Sequence, residues 1–195
     1  MTIETRFRRH IYFFLFMLII FAADQITKYL VVRNIALGAK TAVIKGFLSL
    51  VYSRNTGGAF SLFPDKPMLF LALSVGALVL LLYLYFKLEG KFWPTLSAVA
   101  IMGGALGNLT DRLQYGQVVD FIDVYWGSWH WYIFNVADAA ISLGAAGLFV
   151  TTAISEIVDW RRRKREAADV QTPGEAAGEA EGNKERVSGK PTAPF

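Results

Sequence analysis

The chain contains no cysteine, which excludes disulfides, thiolate nucleophiles and cysteine-ligated metals together. Histidine is nearly absent. His10 sits in a basic N-terminal flank and His130 among aromatics, and neither has metal-ligand spacing. Charge is also scarce: 18% of side chains are charged and 54% are hydrophobic, where a soluble domain carries about 25% charge. The apolar residues fall in long blocks, which is membrane patterning rather than a large soluble core. The net charge of +4 does not indicate nucleic acid, because the bases edge the apolar runs or fill a terminal tail. There is no His-Glu-x-x-His zinc helix, no Gly-x-Ser-x-Gly elbow and no phosphate-binding Gly-x-x-x-x-Gly-Lys loop. Carboxylates, amides and a few bases are left to carry any chemistry.

Four apolar segments, at about 11–32, 68–86, 92–111 and 131–158, predict an all-α membrane protein with a four-helix transmembrane bundle. Residues 11–23 follow Arg6, Arg8 and Arg9 like a cleavable signal peptide. Phe21 fits a small-residue cleavage site poorly, and the helical pattern continues to Val32, giving a span. Lys and Arg divide into two sides. One holds Arg6, Arg8, Arg9, Lys87, Lys91 and the run at 161–165; the other holds Arg33, Lys40, Lys45, Arg54, Lys66 and Arg112. The first side is expected to be cytoplasmic, with both termini inside. Residues 33–67 and 113–130 then lie outside. The first of these alternates as Phe47-Leu-Ser-Leu-Val-Tyr-Ser and reads as short strands, with Gly57 and Gly58 permitting a tight turn. The second holds Tyr125, Trp126, Trp129, Trp131 and Tyr132, an aromatic belt on a short outer loop or helix. The domain is expected to end near residue 160. Beyond it, 161–195 reads as a basic anchor to anionic lipid and then, from Glu166, a disordered tail.

Asp138 lies within the last apolar run, where a carboxylate costs roughly 2.5–3.5 kcal/mol to insert, so function or a buried partner is expected to retain it. Asp120, just before that run, is a candidate partner. Helix rise supports a common site. Counted from residue 11, Asp24 lies roughly 20 Å above the inner edge, and Asn108, counted from residue 92, roughly 24 Å. Counted down from Tyr132, Asn135 and Asp138 lie roughly 5 and 9 Å deep. Three helices thus place polar residues in one outer layer. Asp24 and Lys28 share a face at i,i+4; Asn108, Asp111 and Arg112 share another, with Arg112 placed to hold a carboxylate or to snorkel. Asn135 can lie beside Asp138.

Each residue also has a purely structural reading. Asp24–Lys28 is read as an interhelical lock, Asn108 as possible helix glue, and Asp111–Arg112 as a possible solvated helix end. Asp120 alone reads as a loop or cap residue. The run Gly103-Gly-Ala-Leu-Gly107 reads as close helix packing. A small proton-coupled carrier is the main functional alternative, although one polar layer and no internal repeat fit it less well.

The motifs Asp24-Gln-Ile-Thr-Lys28, Asn55-Thr-Gly-Gly-Ala-Phe60, Gly103-Gly-Ala-Leu-Gly-Asn108-Leu-Thr-Asp111-Arg112, Val118-Val-Asp120-Phe121 and Phe134-Asn135-Val-Ala137-Asp138 occur in this order. Together they resemble the lipoprotein signal peptidase family, the bacterial type II signal peptidases. The resemblance implies an intramembrane aspartic endopeptidase that cleaves diacylglyceryl-modified prolipoproteins before the lipidated cysteine. It maps the catalytic pair onto Asp120 and Asp138. Supporting or substrate-binding roles map onto Asp24, Lys28, Asn55, Gly57, Asn108, Asp111, Arg112, Asn135 and Ala137. It implies no metal and no cofactor, lipidated prolipoproteins and membrane lipids as partners, no nucleic acid, a monomer in the bacterial inner membrane with its site on the extracytoplasmic side, and inhibition by globomycin. Two positions depart from the pattern: Gly58, where many members have Ala, and Ala139, where many have a hydroxyl residue.

Overall fold

The structure is a computed structural model that describes residues 3–57 and 67–188. Gly58, the end of the Asn55–Phe60 motif and Lys66 lie outside the described residues. Four helices form: α1 (Ile3–Asn34), α2 (Pro67–Lys87), α3 (Phe92–Tyr115) and α4 (Val136–Ser188). Three of them, α1, α2 and the first part of α4 (Val136–Ala167), are long and apolar enough to cross a membrane. The expected third span, α3, is 24 residues long, about 36 Å at helical rise, so its length suffices. Its hydropathy is lowered by Asn108, Asp111 and Arg112, and it packs against both α1 and α2. Outward-facing positions such as Ile19, Leu80 and Val79 are exposed and apolar, as lipid contact requires.

The chain divides into two compact units, Met1–Thr151 and Thr152–Phe195. The first holds the sheet and every candidate site residue. In the second, the segment from Glu166 expected to be disordered is helical to Ser188. Alanine and glutamate, its commonest residues, favour helix.

A four-stranded antiparallel sheet, ordered β1 (Lys40–Ile44), β2 (Leu48–Asn55), β3 (Val118–Trp126) and β4 (Trp129–His130), sits between the helices in sequence. The second outer segment, expected as a loop or short helix, supplies β3 and β4. Val118-Val-Asp-Phe-Ile-Asp-Val alternates and is β-branched, and that local preference prevails over the loop-or-helix reading. On one face of this sheet Tyr52, Val119 and Phe121 pack with Val31 of α1 into a small core. Between Leu50 and Ser53 a bulge sets two β2 residues against one of β3. Beyond it Ser53 pairs with Asp120 and Asn55 with Val118, so Asn55 and Asp120 are diagonal neighbours on one face.

Two short connections then aim the site. Gly116, left-handed at φ 69°, caps α3 by donating its N–H to the Arg112 carbonyl at 3.0 Å, and β3 begins two residues later. Phe134 bridges to Ile122, accepting N–H bonds from Phe121 and Ile122 at 3.0 and 2.7 Å. The start of α4 is thereby fastened beside Asp120.

Asp123 points to the other face, 3% exposed, and takes Lys40 at 2.7 Å and His130 at 2.8 Å. Burial pushes its carboxyl up, but bonds from Lys40 and His130 outweigh this and hold it below the usual range. This contribution to stability is full above the unfolded aspartate value of about 3.9 and is lost as pH falls through the lower folded value. Asp123→Asn is expected to cost about 1–2 kcal/mol and to flatten the acid dependence of thermal unfolding in detergent, read by intrinsic tryptophan fluorescence. An unchanged midpoint and unchanged acid dependence would contradict this role.

Candidate active site

The site begins with a buried ammonium. Lys28 of α1 is 3% exposed, and its Nζ has three acceptors: Asp24 at 2.8 Å, Asp111 at 2.8 Å and the Asn108 side-chain carbonyl at 3.0 Å. A lysine has three N–H groups, so its donors are fully used. Asp24 and Lys28 meet because they are one helical turn apart; Asn108 and Asp111 arrive together from α3 for the same reason. Gly107 makes the approach possible, since a Cβ there would stand 2.3 Å from Asp24 Oδ2.

Each acceptor reaches onward. Asp24 Oδ1 accepts the Ala137 backbone N–H at 2.9 Å, joining α1 to the first turn of α4. Asp111 Oδ2 accepts the Val119 N–H at 3.0 Å, joining α3 to β3. Gln25, a residue the sequence reading assigned no role, donates to Asp24, Asp111 and the Gly107 carbonyl at 3.1–3.2 Å. Its position inside the Asp24–Lys28 motif was the available signal. Asp111 was expected beside Arg112; it pairs with Lys28 instead. Arg112 Nη1 donates to Ser74 Oγ of α2 at 3.2 Å and to the Asn108 carbonyl at 3.5 Å, with its guanidinium 5.9 Å from the centre of the Phe70 ring.

The other two carboxyls receive amides in place of a cation. Asp120 accepts Nδ2 of Asn135 at 2.7 Å and Nδ2 of Asn55 at 3.1 Å. Asp138 accepts Nδ2 of Asn108 at 2.8 Å. Asn135 is not a helical residue, as the depth count assumed; α4 starts at Val136. Asn135 is its N-cap. Its side-chain carbonyl accepts the Asp138 N–H at 2.8 Å, while Asp138 Oδ2 accepts the Asn135 N–H at 3.3 Å. This reciprocal pair is a capping box, with Asp138 at the third helical position, and it fixes both side chains at once. Asp138 thus lies in the first turn, closer to the helix start than counting from Tyr132 gave.

Asp120 and Asp138 line one cavity of about 130 Å³, several times what a single water needs. Asn55, Gly57, Asn108 and Arg112 complete its polar wall, and Tyr132, Ile133 and Ile141 its apolar one. Gly57 donates its N–H to the Asn55 side chain at 2.9 Å. Ala137 is fully buried beneath the wall. All eleven residues singled out in the sequence therefore fall in this cavity or in the network beneath it. Burial first, and then the charge of Asp138, pushes the Asp120 carboxyl up to about 7.

Residues 16–154 match the profile of the Signal peptidase (SPase) II family. A lipoprotein signal peptidase of Listeria monocytogenes is 39% identical over 71% of this chain and 91% of its own. One from Geobacter sulfurreducens is 44% identical over 65% of this chain and 82% of its own. A solved structure described as a bacterial membrane enzyme superposes with a TM-score of 0.68 at 28% identity, covering 74% of this chain and 88% of that one.

The Lys28 network yields a stability prediction. Lys28→Met leaves two buried carboxylates without their cation and is expected to cost about 3–5 kcal/mol. Gly107→Ala must displace Asp24 and is expected to lower folded yield similarly. Both are read as monodisperse protein recovered in detergent, with Ala105→Gly as a control of the opposite kind. Wild-type recovery of both variants would show that the network is not holding the helices.

Proposed function

This chain belongs to the signal peptidase II family, aspartic peptidases that remove the signal peptide from prolipoproteins in the bacterial membrane, and we propose that Asp120 and Asp138 are its catalytic pair. One observation carries the assignment. Of the carboxyls in the network, Asp24 and Asp111 share the ammonium of Lys28, whereas Asp120 and Asp138 face a cavity and, among the described residues, accept hydrogen bonds from amides. Two carboxyls that line one cavity and accept amide hydrogen bonds resist double ionisation and share a proton.

The reaction follows from that shared proton. The ionised member takes a proton from a water in the cavity, and the oxygen attacks the scissile carbonyl. The protonated member donates to the carbonyl oxygen as negative charge develops there. Collapse of the tetrahedral intermediate breaks the C–N bond, and the proton taken from water passes to the leaving amine. Asn135 and Asn108 orient the two carboxyls without supplying charge that would fix both as carboxylates. Arg112, tethered through Ser74 and Phe70, is placed on the cavity wall to meet a substrate carbonyl or lipid phosphate. The carboxyls act as the whole catalytic apparatus, within a single copy of the chain.

The substrate in this reading is a diacylglyceryl-modified prolipoprotein cut just before its lipidated cysteine. Lipid on that residue holds the cleavage point near the headgroups, so water needs to enter only one leaflet. The distribution of Lys and Arg favours a cytoplasmic location for both termini and an extracytoplasmic opening for the site. Nothing among the described residues favours the carrier reading, because Asp24, Asp111, Asp120 and Asp138 gather in one network.

Asp120→Asn and Asp138→Asn are each expected to insert and fold normally and to lose at least a thousandfold in cleavage of a lipidated precursor, followed by gel shift. A folded Asn variant that cleaves at the wild-type rate would remove that residue from the pair. The rate of the wild-type enzyme should fall on both sides of an optimum. The alkaline limb reflects loss of the shared proton as pH rises through about 7, and the acid limb reflects protonation of the second carboxyl. A rate that stays flat from pH 5 to pH 9 would contradict shared-proton catalysis.

A further inference from the structure

A second cavity, about 350 Å³, lies between α1, α2 and α3 and is used by none of the chemistry above. Phe13, Phe14 and Met17 of α1, Leu82 and Tyr85 of α2 and Met102 of α3 line it. Phe13 is eleven residues before Asp24, about 16 Å along the helix, so the cavity serves the opposite end of the bundle. Phe14 and Leu82 are more than 45% exposed at 56% and 47%, so its rim opens sideways to lipid. An apolar groove alone would name no occupant. The charges at its mouth do.

Arg6, Arg8 and Arg9 stand on the first turns of α1, and Lys87 and Lys91 flank the α2–α3 turn. Most of these bases are already engaged or exposed. Arg6 pairs with Glu89 at 2.6 Å, and Arg8 with Glu4 at 2.7 Å. His10 and Tyr85 hydrogen-bond each other across the groove. Arg9 differs. Its Nε is enclosed and has no hydrogen-bond partner among the described residues, and its guanidinium lies over the Phe13 ring at 5.9 Å. Arg9, Phe13 and Met17 are spaced i, i+4, i+8, so one helical stripe leads from this cation, which also faces Glu89, into the apolar groove. A ligand that matches this stripe carries an anion at one end and a flexible alkyl chain behind it.

We propose that this groove binds one acyl chain of an anionic phospholipid, with its phosphate on Arg9, in the leaflet that meets the N-terminal end of α1. The outer Nη end of the half-buried Arg9 guanidinium is the part a phosphate meets, and guanidinium geometry suits phosphate. Basic pockets between membrane helices recognise lipid headgroups by this combination. The site is independent of the catalytic pair and stands or falls separately from it.

The test uses the full-length enzyme, delipidated in a neutral detergent and titrated with phosphatidylglycerol or with phosphatidylcholine of the same chains. Bound lipid is counted by native mass spectrometry. One phosphatidylglycerol is expected to be retained per chain, and Arg9→Gln should weaken retention roughly tenfold. Met17→Trp, which fills the groove, should do the same. Arg8→Gln should retain lipid as the wild type does, and all three variants should cleave precursor in detergent at the wild-type rate. Shortening the acyl chains tests the groove without a substitution, and retention should fall with each cut. Equal retention of phosphatidylcholine would overturn the charge recognition. Equal loss in Arg8→Gln would reduce the effect to diffuse surface charge. Displacement by chain-free glycerophosphoglycerol as readily as by whole lipid would overturn the role of the groove.

Discussion

A single buried ammonium holds this structure together. Lys28 spends its three protons on Asp24, Asp111 and Asn108, and through them it touches four elements. Asp24 carries the tie to α4 at Ala137, Asp111 to β3 at Val119, and Asn108 to Asp138 itself. Inside a membrane the alternative to this arrangement is severe, because a lone ammonium or a lone carboxylate has no water to return to. The pairing is therefore all or nothing. Either every partner is in place, or the helices lose the reason to pack in this register.

That cation also sorts the carboxyls. Asp24 and Asp111 are in direct contact with it, and they serve as struts. Asp120 and Asp138 sit one layer further on, reached only through neutral amides. Asn135 is the hinge of this second layer. It caps α4, donates to Asp120 and contacts Asn108, so the same side chain that starts the helix also sets the spacing of the pair. Amides orient a carboxyl without fixing its charge, which is what a pair that must pass a proton between its members requires. The scaffold is ionic, and the proposed reacting groups are aimed by amides.

Much of this was legible in the chain because membrane burial makes polar residues conspicuous. The helices declared themselves as long apolar runs, and Asp24, Lys28, Asn108, Asn135 and Asp138 stood out as costs that something had to justify. The sheet was half visible. β2 announced itself by alternation, but the tryptophans after β3 suggested an interfacial belt, and they hid the alternating Val118–Val124 stretch that carries Asp120. Pairing between β2 and β3, with its bulge, is a long-range fact that no local pattern encodes. The start of α4 was misplaced for a related reason: hydropathy runs continuously from Trp131, and only the hydrogen bonds of Asn135 reveal the cap. Asp111 was read beside Arg112 because i,i+1 and i,i+4 neighbours are all a sequence offers, whereas Lys28 comes from another helix. Asp123, buried on the far face of the sheet with Lys40 and His130, gave no signal distinct from an ordinary loop acid.

The account rests on Asp120 and Asp138 meeting over one peptide bond. An experimental structure of the enzyme with an uncleavable lipidated precursor tests this most directly, by the distances from each carboxyl to the scissile carbonyl. Both aspartates should lie within hydrogen-bonding reach of that carbonyl or of one water beside it, with Lys28 still enclosed below. A bound precursor whose scissile carbonyl is out of reach of either carboxyl would contradict it.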